Sequence, residues 1–143
     1  MPHILNNIVI FQKVILQDKD GKILALRRKE NDDRRPGAWD LPGGGFEKGE
    51  DLVAAIEREV MEETHLIAKD FQILTARSIK GIDAADVDNI FIGWAAKNWS
   101  GAISLSDEHI EYRWVTAAEF AELPTWDEQG FLQDLVKLFA HAA

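Results

Sequence analysis

The chain has no cysteine among its 143 residues. That excludes disulfides, thiolate nucleophiles and zinc–sulfur sites together. Its four histidines, His3, His65, His109 and His141, are scattered without ligand spacing. Long hydrophobic runs are absent too, and a bilayer-spanning helix needs about 18 or more apolar residues in a row. The first segment, MPHILNNIVIF, lacks a positive leader. No signal peptide is therefore expected, and a cytoplasmic location follows by default. Positive charge is in short supply. Sixteen Lys and Arg face 25 Asp and Glu, a net charge of −9 with no basic run. Long nucleic acids and anionic membranes are poor partners for such a surface. A small phosphate ester remains accessible if metals and a few arginines neutralise it.

What remains is the composition of an ordinary globule, 46% hydrophobic and 29% charged. Its length suits one domain, 1–143, with a sizeable core. Ile8 to Leu16 is a β-rich run, Asp20-Gly21 a turn signal, and Lys22 to Leu26 the expected hairpin partner. Asn31 to Gly37 (NDDRRPG) reads as a polar loop. Trp39 to Pro42 reads as a short extended piece, and Gly43-Gly44-Gly45 as a flexible entry to a helix. Phe71 to Ile79, Asn89 to Ala96 and Tyr112 to Val115 read as further strands, with a polar loop from Lys80 to Asp88. Thr116 to Glu119 and Thr125 to Glu128 both have capping-box spacing, which predicts a helix start at each. Phe131, Leu132, Leu135, Leu138 and Phe139 recur at helical intervals and read as a packing stripe. Strands with a helix between and helices after predict an α/β layered domain.

Seven acidic residues fall between Gly44 and Leu66. Read Leu52 to Thr64 as a helix turning about 100° per residue. Leu52, Val53, Ile56 and Val60 then share one arc, the core-facing one. Glu63 falls inside that arc, Glu59 at its edge and Glu62 one step further round, whereas Glu57 and Met61 point away. Like charges three and four apart repel on a helix. Carboxylates near a core are costly unless paired or metal-bound. Divalent cations with oxygen ligands are the simplest compensation.

From Gly44 the chain reads Gly44, five residues, Glu50, seven residues, Arg58-Glu59-Val60, one residue, Glu62-Glu63, one residue, His65-Leu66. This resembles the Nudix box, G-x5-E-x7-R-E-U-x-E-E-x-G-U, with U aliphatic. All six other fixed residues and both aliphatic positions match. At roughly 7% frequency each, six chance matches occur about once in ten million starts. The preceding Trp39-Asp40-Leu41-Pro42-Gly43-Gly44 resembles the usual flank. One position departs: His65 stands where the family has glycine. That glycine would end the helix in a left-handed conformation. Histidine is among the residues enriched there, so the change touches the helix exit more than the chemistry.

The resemblance implies a Nudix fold, a mixed β-sheet sandwiched between α-helices. It implies hydrolysis of a nucleoside diphosphate linked to another group, with Mg2+ or Mn2+ as cofactor. Glu59, Glu62 and Glu63, with the backbone carbonyl of Gly43 or Gly44, are the implied metal ligands. Arg58 is implied to orient the glutamates, and Glu50 to support the loop–helix geometry or the outer metal shell. A fourth carboxylate often enters from a later loop. Glu108 is favoured for it over Glu111, and Glu59, Glu62 and Glu108 are all candidates for the general base. Related enzymes build the nucleoside pocket where Ile8 to Leu16, Arg27, Arg28, Arg34, Arg35 and Trp39 lie here. For Trp39, packing is the favoured reading and substrate contact the alternative.

The short chain resembles the small nucleoside triphosphate branch, 8-oxo-dGTP diphosphatases included. ADP-ribose or nucleotide-sugar hydrolysis, and a non-catalytic nucleotide-sensing domain, are the alternatives. The expected partner is a small nucleotide, with no long nucleic acid and no membrane. A homodimer is one option for assembly.

Overall fold

The computed structural model describes residues 7–31, 36–79, 87–127 and 129–142. It contains two sheets. The first is mixed and four-stranded, in the order β4(Gly43–Gly45), β1(Ile8–Leu16), β6(Asp88–Ser100), β5(Ile67–Ile79). The second is antiparallel, in the order β3(Trp39–Asp40), β2(Ile23–Arg28), β7(His109–Val115). Helix α1(Leu52–Thr64) packs on one side, and α2(Ala117–Ala121) and α3(Phe131–Ala142) on the other.

Strand alternation divides the core in two. In β2, Leu24 and Leu26 join the cluster built on Ile56 and Val60 of α1. Ile23 and Ala25 join the cluster built on Phe131, Leu132 and Leu135 of α3. The interior of β2 is therefore apolar on both faces, as a strand covered on both sides requires. At about 25 cal/mol per Å2 of buried apolar surface, these contacts are the main stabilising term.

Three expectations need correction. The Asp18–Lys22 turn forms, with Asp18 N–H donating to the Lys22 carbonyl at 2.8 Å. Yet β1 and β2 do not pair as a hairpin. Beyond the Gln17–Ile23 bridge they diverge into separate sheets. β1 instead runs parallel to β6 along its whole length. The tri-glycine segment is not loose, because it forms β4, antiparallel to β1. Helix α3 begins at Phe131 rather than near Thr125. Its first turn is capped by Asp127, whose carboxylate accepts from Leu132 N–H at 2.9 Å. Glu128 lies outside the described residues, as do Arg34, Arg35 and most of the loop expected from Lys80 to Asp88. The Thr116 capping box is present, with Thr116 and Glu119 bonding reciprocally. Among the described residues no helix is long and apolar enough to cross a membrane.

Candidate active site

Helix α1 supplies the acidic side chains. Asp51 caps it, its carboxylate accepting from Val53 N–H at 3.1 Å and Ala54 N–H at 3.3 Å. Ala55, Ile56 and Val60 bury its apolar side, and the same side buries Glu63, which is 5% exposed. Glu63 accepts a 2.8 Å hydrogen bond from Gly43 N–H. Burial pushes its carboxyl up to about 8, against an opposing pull from Lys13. Glu59 is half-buried, and its pKa is also raised by burial, with Arg58 pulling the other way.

Arg58 ties the acids together. Its Nε and Nη2 grip both Glu50 oxygens at 2.8 Å. Its Nη1 reaches Glu59 at 3.0 Å and Glu62 at 3.3 Å, and Nη2 also reaches the Gly45 carbonyl at 3.3 Å. Such planar forks fix carboxylates in orientation. The bidentate bond from Arg58 holds Glu50 below the usual carboxylate range and raises Arg58 in turn.

Two glycines let β4 press against the helix. Gly43 has φ 134°, and a Cβ there would lie 2.0 Å from the Gln12 carbonyl oxygen. A Cβ on Gly44 would lie 2.6 Å from a Glu59 oxygen. Gly43 thus has no room for a side chain against backbone, and one on Gly44 would have to displace the Glu59 carboxylate.

Glu59, Glu63, Gly43 and Gly44 line one cavity of about 350 Å3, together with Glu108 and Arg28. Two backbone bonds deliver Glu108. Ser104 N–H donates to the Thr64 carbonyl at 3.0 Å and Ser106 N–H to the Glu63 carbonyl at 3.2 Å. The segment before β7 is thereby docked on the end of α1. His65 assists there. It is left-handed, with φ 64°, and its Nδ1 lies 2.7 Å from the Ser104 carbonyl oxygen. In β2 a register shift between Arg27 and Arg28 places Arg28 opposite His109. Bulges commonly re-aim side chains beside active sites.

Other expected site residues lie elsewhere. Glu62 is 57% exposed on Arg58 and does not line the cavity. Trp39 is 4% exposed within the α3-side cluster, beneath the Arg113 guanidinium. Arg27 is taken up by Glu30 and Glu111 at 3.0 and 3.2 Å, and Glu111 also accepts from Arg113. No member of that group lines the cavity.

The cavity also contains Phe11 and Lys13, from the Ile8 to Leu16 strand expected near the pocket, and Asp40, His109 and Trp126, to which the sequence reading gave no site role. Lys13 is 4% exposed and donates to Asp40 at 3.0 Å and to the carbonyls of Leu41 and Gly43 at 3.3 and 3.2 Å. Arg28 shares the same Asp40 oxygen at 3.2 Å. The signal for Lys13 was a lone cation inside an apolar strand, which needs a buried partner.

The donor set fits a divalent cation. Carboxylates of Glu59, Glu63 and Glu108 are hard oxygen ligands, and a carboxyl as buried as Glu63 resists ionising without a positive neighbour. The Gly43–Gly45 backbone stands where a carbonyl can join them.

A family model for the NUDIX domain matches residues 12–135. Nucleoside triphosphatase NudI of Salmonella arizonae is 33% identical over 114 residues, covering 74% of this chain and 81% of that protein. Nudix hydrolase 7 of Arabidopsis thaliana is 24% identical over 118 residues, covering 82% of this chain and 42% of its own. A MutT protein from Methanosarcina mazei superposes with TM-score 0.76 at 27% identity, covering 98% of both chains. The E. coli ORF135 protein shares the fold, with TM-score 0.78 at 21% identity, covering 94% of this chain and 90% of that one. The family match spans the acidic helix, the glycine strand and the segment that carries Glu108, so the chain belongs to the NUDIX domain family and is an enzyme of the Nudix hydrolase type.

Proposed function

We propose that the protein hydrolyses a phosphoanhydride bond of a nucleoside triphosphate, oxidised bases included, using Mg2+ or Mn2+. The observation that carries this reading is the convergence of Glu59, Glu63 and Glu108 on one glycine-lined cavity beside Arg28. Its volume is in the range of small-molecule sites. The likeness to a nucleoside triphosphatase supports the substrate class. A cytoplasmic small nucleotide as partner belongs to the same reading.

Glu59, Glu63, Glu108 and a carbonyl of Gly43 or Gly44 would hold the cation, and Glu62, outside the cavity on Arg58, would have to turn inward to join them. When bound, the metal neutralises phosphate charge and lowers the pKa of water. Arg58 restrains Glu59 and Glu62 so that little reorganisation is needed during reaction. Arg28 brings a positive charge toward the phosphates. Glu59 and Glu108 both line the cavity, which supports either as the base that accepts the proton of the attacking water.

The test is phosphate or pyrophosphate release from a panel of nucleoside triphosphates, ADP-ribose and nucleotide sugars. Triphosphates should turn over fastest, with full loss in excess EDTA. Glu62→Gln and Glu63→Gln should each cut turnover at least ~100-fold. Undiminished hydrolysis in EDTA would sink the metal-dependent reading, and preference for ADP-ribose would move the substrate class.

A further inference from the structure

Three ligand atoms of two kinds meet at one end of the cavity. A carboxylate oxygen of Glu63, one of Glu108 and a ring nitrogen of His109 all lie within 4.8 Å of one another. Two of the three residues are buried, Glu63 at 5% and His109 at 6% exposure, and Glu108 is exposed. The donors come from two elements whose backbones are joined, since Ser106 N–H donates to the Glu63 carbonyl two residues before Glu108. The register shift in β2 sets Arg28, another cavity residue, across from His109.

The nitrogen changes which cation is favoured. Sites made only of carboxylate, carbonyl and water oxygens suit Mg2+, whereas an imidazole adds preference for first-row transition ions. Mg2+ also demands near-ideal octahedral oxygens and gives up water reluctantly. Two cations line the same cavity, Lys13 and Arg28, but both bond to Asp40, at 3.0 and 3.2 Å. Asp40 thus partly neutralises both cations. A ligating histidine typically keeps its second nitrogen in a hydrogen bond, so an engaged second nitrogen is compatible with the role.

We propose that His109 donates a ring nitrogen to a divalent cation shared with Glu63 and Glu108, so that this position takes Mn2+, Co2+ or Zn2+ in preference to Mg2+. The proposal rests on the reading of this cavity as the metal-binding hydrolytic centre, and it identifies the ion class and a nitrogen ligand.

The direct test loads the full chain with Mn2+ and records its electron spin echo spectrum. Modulation from a directly bound 14N is expected in the parent and should vanish in His109→Gln. Calorimetry should show Mn2+ affinity falling at least ~10-fold in that variant, in line with losses on altering metal-site histidine partners. Mg2+ affinity should fall by less than about 3-fold, because Mg2+ gains little from nitrogen. If His109→Gln does not fold, His109→Asn replaces it, and the parent spectrum stands regardless. A parent spectrum without nitrogen coupling overturns the proposal. So does coupling that survives the substitution, since it would then come from another residue such as His65. Metal-dependent turnover without nitrogen coupling would refute only the His109 assignment. Nitrogen coupling with no turnover of any nucleotide would instead support the metal position and refute the proposed function.

Discussion

Replacing Glu63 by glutamine should stabilise the metal-free protein, and the gain should grow with pH. The carboxyl is 5% exposed, and burial raises its pKa from 4.5 to about 8. The folded state therefore holds this proton more tightly than the unfolded chain. Between pH 4.5 and 8 the folded state binds more protons, so stability falls as pH rises through that window. This is opposite to a salt-bridged carboxylate. A tenfold difference in proton affinity between the two states corresponds to about 1.4 kcal/mol. The penalty is then ~2 kcal/mol at pH 6 and nears ~5 kcal/mol above pH 8 as an upper bound. Glutamine carries no charge at any pH and can still accept from Gly43 N–H, the bond now 2.8 Å long. Urea unfolding of parent and Glu63→Gln in EDTA, at pH 6 and pH 9, isolates the effect, because other titrating groups cancel in the difference. The variant should gain roughly 3 kcal/mol more at pH 9 than at pH 6, or on the order of 10 °C in melting temperature. A difference that is flat with pH would refute the buried, reluctant carboxylate. Excess Mn2+ should reverse the ranking, since only the parent offers the metal a carboxylate there.

Gly44→Ala should place a methyl 2.6 Å from a Glu59 oxygen. A stability loss of ~1–3 kcal/mol from overpacking is expected, with turnover down by about 100-fold; parental turnover would show that Glu59 moves freely. Lys13→Met should destabilise by ~3–5 kcal/mol, because Asp40, 1% exposed, loses one of its two cations; chemical denaturation reads this, and a loss below ~1 kcal/mol would mean that Arg28 suffices alone. His65→Gly should change stability by less than ~1 kcal/mol in either direction. Glycine suits the left-handed φ of 64° but adds unfolded-chain entropy and forfeits the contact to Ser104; turnover should hold within a few-fold, and a large loss with stability unchanged would show that His65 contacts substrate or metal.

Local signals carried much of this structure. The spacing of Leu52, Val53, Ile56 and Val60 defines α1, and the helix runs from Leu52 to Thr64 as the periodicity predicts. β1 spans the expected residues, Ile8 to Leu16. The helical bearing of Glu63 matches its burial, and that of Glu62, one step further round, matches its greater exposure. What escaped notice was non-local. Gly43 to Gly45 have no side chains, so no pattern announces that they pair with Phe11 to Lys13, some thirty residues away. The Asp20-Gly21 signal describes a turn correctly but says nothing about sheets that part just beyond it. Trp126 and Lys13 meet only after folding, the Lys13 ammonium lying over the indole 5.9 Å from its centroid. Strand β5 starts four residues early, at Ile67, through an irregular stretch with Asp70 at φ 59° that breaks any alternation.

Strand β1 has a consequence for how the gene can change. Phe11, Lys13 and Ile15 serve one side of it, while Gln12, Val14 and Leu16 serve the other. Gln12 bonds the Leu52 carbonyl and the Trp94 indole, and Lys13 bonds Asp40. A single-residue insertion or deletion between Ile10 and Leu16 would turn every following side chain to the opposite side. Lys13 would be driven into the apolar cluster beneath α1, and Val14 or Gln12 would take its place beside Asp40. Point substitutions along this strand are graded in effect, but length changes within it should be all-or-none.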